Sequence, residues 1–480
     1  MLSNPLIQRY RYSILRPKQF WVYTTIYIST TLLLVFISYS GYKRQTFFED
    51  IVEFYQSLYY QFLTFQVLML FIWSSYNSGS AIKEEISNKS FDFFRLLPLP
   101  AHKKAFGILI GKNLLVLLFG GINLGFLIYF GLAGRINISL QGQILLTLLS
   151  IAILTNLTCL LSSIRPTKKS KSSGIVLILF GIFFFVPMMI NAIVALSMTD
   201  ELQSYGVYFF KLKVPILLVI SFIALYFCCW LFKGILRKFT HEQEPLFTRK
   251  GAMLFLVGYI FIAIGLYYFY LPKEDSKLVY LYWLSTLLPI LLIQLASLRK
   301  LDSYIEYSRD LQGKIASGKT GIFAMLKYSN LTLAIALFAI WGVLSLGVTF
   351  LAKEANITPL PGLYNIFILL TCFLFLMLLL ELYVVYKPVS SKIGLLLGFI
   401  AGLYLILPLI MGGIFDNDVI YHYSPIGFIG SLFDEPLYDN PEIKSTVRTT
   451  FWAMNTVFCI LPAMLIWKRY SLILVQRQRM

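Results

Sequence analysis

The chain has 480 residues, of which 58% are hydrophobic and only 13% charged, with a mean hydropathy of +0.74, whereas soluble domains carry about a quarter charged residues. That balance describes an integral membrane protein and excludes a built-in soluble catalytic domain, because no stretch of about 100 residues is polar enough to fold in water. The net charge of +18, from 41 Lys plus Arg against 23 Asp plus Glu, would suggest nucleic acid as a partner in a soluble protein; here its distribution gives it another meaning.

A helix crosses the hydrocarbon core with about 20 apolar residues. Twelve segments satisfy that window, at about 20–40, 55–78, 106–132, 143–163, 174–197, 214–235, 252–271, 278–298, 331–351, 364–386, 393–413 and 449–467. The first lacks a small-x-small cleavage site and is expected to stay as a span. Lys and Arg concentrate in cytoplasmic loops. With the N-terminus inside, 30 of the 41 basic residues fall in cytoplasmic segments, ten fall outside, and Lys112 lies within the third span. The reading is therefore an all-α integral membrane protein of about 12 transmembrane helices with both termini cytoplasmic. The positive charge is a topology signal, helped by attraction to anionic lipid, and nucleic acid drops out.

The loops repeat. A long cytoplasmic loop follows the second span (about 79–105) and a basic one, Arg165 to Lys171, follows the fourth. In the second half a long loop again follows the second span of the set (about 299–330), and a short basic one, Lys387 to Lys392, follows the fourth. Two six-helix halves in parallel orientation are expected, as in duplicated transporters. The division is an interfacial segment at 1–19, a first half at 20–235, a charged cytoplasmic linker at 236–251, a second half at 252–467 and a basic tail at 468–480.

In the first segment Leu6, Ile7, Tyr10 and Ile14 alternate with Arg9, Arg11 and Arg16 at roughly helical spacing. This suits either a helix in the inner interface with arginines at the headgroups or a plain basic anchor. The loop after span two is more informative. It holds Glu84, Glu85, Lys89, Asp92 and Arg95 among large apolar residues, and Pro98 ends any short helix there. A half-charged, half-apolar loop at the membrane face has to pack against a partner or headgroups.

The order acidic pair, Lys-Ser, aromatic-Asp-aromatic-aromatic, Leu-Leu-Pro-Leu, basic pair, then Gly111-Lys112 resembles the corresponding loop of ATP-binding-cassette type-two permeases, the membrane subunits of exporters of polysaccharides, lipids, drugs or peptides. In that resemblance Glu85 stands for the family's conserved acid, Ser90 for its Thr, Asp92 for its second acid, Phe93 and Phe94 for its leucines, and Pro98 and Leu99 for its Pro-Leu. Two features depart from the pattern: Pro100 stands where the family has Ser or Thr, and the Gly-Lys comes about one helical turn later. The Arg-rich first segment is similar to the family's surface elbow, and Tyr423 to Leu432 to its Pro-containing segment before the last span. The resemblance implies a separate cytoplasmic ATPase docking on these loops, two copies per chain. ATP and Mg would then be bound by the partner and no cofactor by this chain.

In the second half, residues 299–311, with Asp302, Glu306, Arg309 and Asp310, carry both signs of charge among apolar residues. They fit a second docking surface or a solvated amphipathic linker. Gly313 to Thr320 is a literal G-x-x-x-x-G-K-T, but that pattern cradles phosphates only between a buried strand and a helix of an α/β domain. A charged stretch precedes it and a span comes after it, so a chance match with a glycine hinge is expected.

Ionisable groups within spans mark ion pathways; Glu381 and Lys112 are the two here, both near a cytoplasmic end and expected to snorkel. The five cysteines lie in apolar runs and the three histidines in separate loops, so neither a disulfide framework nor a metal site is expected. The last external loop, about 414–448, either dips back into the bilayer or forms an acidic surface. The sequence reading is a plasma-membrane exporter permease without enzymatic activity of its own. The alternatives are an ion-coupled secondary transporter of six-plus-six topology, against which the loop length and the lack of mid-span charge count, and a polytopic membrane transferase, for which Asp416 and Asp418 lack any surrounding motif.

Overall fold

The computed structural model describes residues 4–43, 50–87, 97–164, 206–240, 245–267, 318–353, 360–386 and 441–475, with scattered positions at 286–307 and 395–414. Among these residues the chain is predominantly helical. It divides into two compact units, Met1–Val207 with Lys213–Glu244, and Tyr208–Leu212 with Pro245–Met480.

In the first unit α1 (Pro5–Ile14) starts where the Asn4 side chain accepts the Leu6 N–H at 3.0 Å, with Pro5 at the first helical position. Then come α2 (Pro17–Lys43), α3 (Ile51–Val67), one π-helical stretch (Leu68–Trp73) and α4 (Ser74–Ser87). Helices α5 (Ala101–Lys112), α6 (Leu114–Ala133) and α7 (Ile138–Ser163) come next, and after the short strands β1 (Gly206–Phe209) and β2 (Leu212–Pro215) comes α8 (Ile216–Thr240). The second unit holds α9 (Arg249–Tyr267), α10 (Gly318–Tyr328), α11 (Asn330–Lys353), α12 (Leu360–Tyr386) and α13 (Pro441–Val475).

Six described helical segments are long and apolar enough to cross a membrane: Pro17–Lys43, Leu114–Ala133, Ile138–Ser163, Ile216–Thr240, Arg249–Leu266 and Thr449–Leu474. Shorter apolar stretches run over Asn330–Ser345 and Leu370–Tyr386. The segment expected at 174–197 lies outside the described residues, as does most of the loop at 414–448.

Two of the expected spans differ in form. The second continues as helix through Ser87, so Glu84 and Glu85 sit on α4 rather than in a loop, and it passes through the π-helical stretch. A π-turn inserts an extra residue and rotates the succeeding helix by about 100°; beyond it Ser74 and Ser78 face α7, both donating to Asn156 Oδ1, at 2.8 and 2.7 Å. The third is broken at Asn113, whose side-chain amide donates to Leu109 O and to Ser78 Oγ, each at 2.9 Å. The Asn113 amide thus serves the end of α5 and ties the break to α4, and through Ser78 to α7. Within a bilayer such interhelical polar contacts and close packing, rather than solvent exclusion, hold helices together.

Helix α1 is amphipathic, but its apolar face does not meet lipid. Leu6 and Tyr10 are buried in one cluster with Ala81 and Ile82 of α4, Ala105 and Ile108 of α5, Leu157 and Leu160 of α7, and Ile235 and Phe239 of α8. The approach of α1 to α5 is possible because Gly107 and Gly111 have no side chain: a Cβ on Gly107 would lie 2.9 Å from Leu6 Cβ, and one on Gly111 would strike the Tyr10 ring. Gly111→Ala is expected to lower stability by about 1–3 kcal/mol through overpacking, measured by thermal or SDS unfolding. Gly125→Ala on α6, where an added Cβ meets nothing within 4 Å, is expected to lose nothing; equal behaviour of the two variants would contradict the packing.

Candidate functional site

Each unit carries an acid-centred polar cluster at one end of its helices. In the first unit the centre is Glu85, 5% exposed. Its Oε1 accepts from the Tyr10 hydroxyl at 3.1 Å and its Oε2 from Arg9 Nη2 at 3.2 Å. A carboxylate out of water is expensive unless paired and hydrogen-bonded, so Glu85 fixes α1 against the end of α4. Burial, and then the negative charge of Glu85, raise the Tyr10 phenol above its ordinary pKa, which keeps it a neutral donor. One residue earlier, Glu84 forms an ion pair with Lys112 at the end of α5, and the Lys112 ammonium lies 5.6 Å from the Tyr10 ring centroid. Asn4 Nδ2 donates to Lys103 O at 2.7 Å. Three elements, α1, α4 and α5, are therefore joined by polar contacts beside the 97–100 turn, whose Leu97 and Leu99 pack on the same apolar cluster.

In the second unit the centre is Glu381 on α12, 1% exposed. Its Oε1 accepts from the hydroxyls of Tyr304, at 2.7 Å, and Tyr470 of α13; its Oε2 accepts from Asn330 Nδ2 at 2.8 Å. The Asn330 N–H donates in turn to the Tyr304 hydroxyl at 2.9 Å, and Arg299 N–H donates to Asn330 Oδ1 at 2.9 Å. Burial first, and the Glu381 charge second, hold the Tyr304 phenol well above its ordinary pKa.

Around this centre two guanidinium groups cap the end of α10. Arg249 donates to the carbonyls of Lys327 at 2.6 Å, Ser329 at 2.5 Å and Tyr328; Arg299 donates to Tyr328 O at 2.8 Å. Cations suit these carbonyls because the last turn of a helix leaves its acceptors unmatched and carries the negative end of the dipole. Arg299 also stacks on the Tyr328 ring, 3.7 Å from its centroid, and the Tyr307 ring stacks on Tyr328 at 3.9 Å.

The residues expected at the first docking loop are thus divided. Glu85 faces inward, against α1. Glu84 pairs with Lys112, whose ammonium reaches this half-exposed carboxylate. Pro98 is exposed and Leu99 half-buried. Ser90, Asp92, Phe93, Phe94 and Arg95 lie outside the described residues. The arginines expected at headgroups, Arg9, Arg11 and Arg16, are all exposed, and Arg9 also pairs with Glu85. In the second half Glu306 is exposed on a helical turn, and Asp302, Arg309 and Asp310 lie outside the described residues. Glu381, expected to snorkel, is instead satisfied by hydrogen bonding within the protein. Tyr10, Tyr304, Asn330, Tyr470 and Arg249 carry no mark in the sequence that would assign them to a site. Tyr10 shares the spacing of Leu6 and Ile7 and reads as packing; the others meet Glu381 from segments far apart in the chain.

Comparison of the chain with protein-family models, with curated proteins and with solved structures finds no match.

The clusters make two outcomes measurable. Glu85→Ala leaves Tyr10 and Arg9 without this acceptor and should free α1, read as faster tryptic cleavage after Arg9 and Arg11 in the detergent-solubilised chain; unchanged cleavage would contradict the anchor. Glu381→Ala removes the acceptor shared by the Tyr304 and Tyr470 hydroxyls, each loss costing about 1–3 kcal/mol, so a loss of about 2 kcal/mol or more is expected in SDS unfolding. Tyr470→Phe, which removes a single donor, should cost about 1 kcal/mol.

Proposed function

We propose that this chain is the transmembrane permease subunit of an ATP-driven exporter, with twelve spans in two six-helix halves, both termini cytoplasmic, resident in the plasma membrane. Two copies of a separate cytoplasmic ATP-binding-cassette ATPase dock on its inner loops and supply the energy, with ATP and Mg held by those partners.

The observation that carries the reading is the joining of α1, α4 and α5 by the adjacent acids Glu84 and Glu85. A load applied to the 88–100 segment between α4 and α5 would reach both flanking helices, and α1 with them, through an ion pair and a buried carboxylate rather than through a slack connector. Rigid-body transmission of this kind is what an external motor requires of its membrane subunit. The sequence features of the loop, from the acidic pair to Leu-Leu-Pro-Leu, support the same reading.

A second reading, an ion-coupled carrier, is favoured by one feature, the buried Glu381. Its oxygens accept from two tyrosines and an asparagine, so the side chain is engaged in holding separate segments together.

Purification from native membranes in mild detergent with nucleotide present is expected to retain an ATPase with the chain, at two ATPase copies per chain by quantitative mass spectrometry. Isolation of the chain alone under those conditions, with transport persisting in vesicles that lack any nucleotide hydrolase, would contradict the proposal.

A further inference from the structure

We infer that α10 and the adjoining end of α13 form a membrane-surface anchor that takes the phosphate headgroups of anionic phospholipid, a role separate from any ATPase docking.

The depth of this surface can be followed along α13. Val457, Ile460, Leu461 and Met464 are all exposed and spaced at three and four residues, so they share one face of the helix. An exposed apolar stripe on a membrane-length helix meets lipid. The same face continues into Trp467 and Lys468, both exposed, the order of an aromatic belt followed by a basic residue at which a span leaves the hydrocarbon. At about 1.5 Å per residue, Trp467 stands one turn beyond Met464, which is 65% exposed.

Helix α10 is held at that level. The Phe323 ring makes an edge contact with Trp467, centroids 6.1 Å apart, and Phe323 is 68% exposed. Lys327 lies four residues on, on the same side of α10, and is also exposed. On its opposite side Met325 is fully buried against the α12 and α13 core. The exposed face thus offers an aromatic ring for the interface, with Lys327 and Lys468 beside it.

Charge decides the occupant. Residues 311–328 and 461–480 contain no Asp or Glu, so nothing acidic in either stretch competes for these lysines. An acidic protein surface would find the charge but would have to bury Phe323 and Trp467 beside the apolar face of α13, which is where acyl chains lie. Anionic phospholipid supplies both halves of the match, phosphate for the lysines and the interfacial zone for the rings. Arg249 and Arg299 clamp this same end of α10 through the carbonyls of Lys327, Tyr328 and Ser329, which fixes Lys327 on the packed helices.

The test uses the full chain reconstituted in vesicles of phosphatidylcholine alone or with phosphatidylglycerol, either lipid carrying a quencher at a shallow or a deep acyl position. The emission difference between the wild-type chain and Trp467→Phe isolates Trp467. Shallow-labelled lipid should quench Trp467 more than deep-labelled lipid, and labelled phosphatidylglycerol more than labelled phosphatidylcholine. Lys327→Gln with Lys468→Gln should remove that headgroup preference, by about fivefold in local enrichment per charge, while shallow quenching persists and reports a folded, inserted chain. The inference is overturned if deep label quenches equally, if no preference for phosphatidylglycerol exists, if the preference survives the double substitution, or if Trp467 is shielded from lipid by a bound soluble protein.

Discussion

A carboxylate buried among helices dictates where those helices must lie. Glu85 and Glu381 are each nearly sealed from solvent, and the cost of removing such a charge from water is recovered only when several donors converge on it. In both cases the donors come from elements other than the acid's own. Glu85 draws on α1, while Glu381 draws on the 299–307 segment, the start of α11 and the end of α13. Each acid is therefore a point at which helix positions become interdependent, and moving one helix would strand a charge or a hydroxyl. Apolar packing in a bilayer has no comparable specificity, since lipid chains solvate a leucine as well as a neighbouring helix does.

The two units solve one local problem in related ways. Both contain a short helix leading directly into an apolar helix, with an asparagine at the junction: α5 and α6 meet at Asn113, and α10 and α11 meet at Ser329 and Asn330. In the first unit the junction is tied by neutral groups, Asn113 to Ser78 and Ser78 to Asn156 of α7. In the second, Asn330 reaches a charged partner, Glu381 of α12, and a backbone N–H, that of Arg299. Asn113 reaches α7 only through Ser78 of α4, whereas Asn330 bonds to α12 directly. The chemistry differs: the acid of the first unit holds α1, whereas that of the second holds the junction itself.

Much of the helical plan is legible in the sequence because a membrane-length apolar run is a strong signal. Described helices stand at most of the expected spans, among them α2, α7, α8 and α12. The hidden features are local. Hydropathy carries no mark of the π-turn at Leu68–Trp73 or of the break at Asn113, because both depend on which polar side chains find partners across the helix interface. The acids of the second span read as loop residues, since their charges signal solvent, yet Arg9 and Lys112 reach back to them. Arg9 reads as a headgroup ligand for the same reason. Glu381 reads as a group that escapes to the membrane surface; nothing in its own neighbourhood of the chain announces that Tyr304, Asn330 and Tyr470 converge on it.

The central claim, that buried acids set the helix positions at the ends of these units, is tested most directly by a double-mutant cycle between Glu381→Gln and Tyr304→Phe, read as unfolding free energies of the reconstituted chain. The account predicts a coupling between the two sites of about 1–3 kcal/mol, because the hydroxyl and the carboxylate act as one unit. Strict additivity of the two substitutions, with no coupling beyond experimental error, would contradict it.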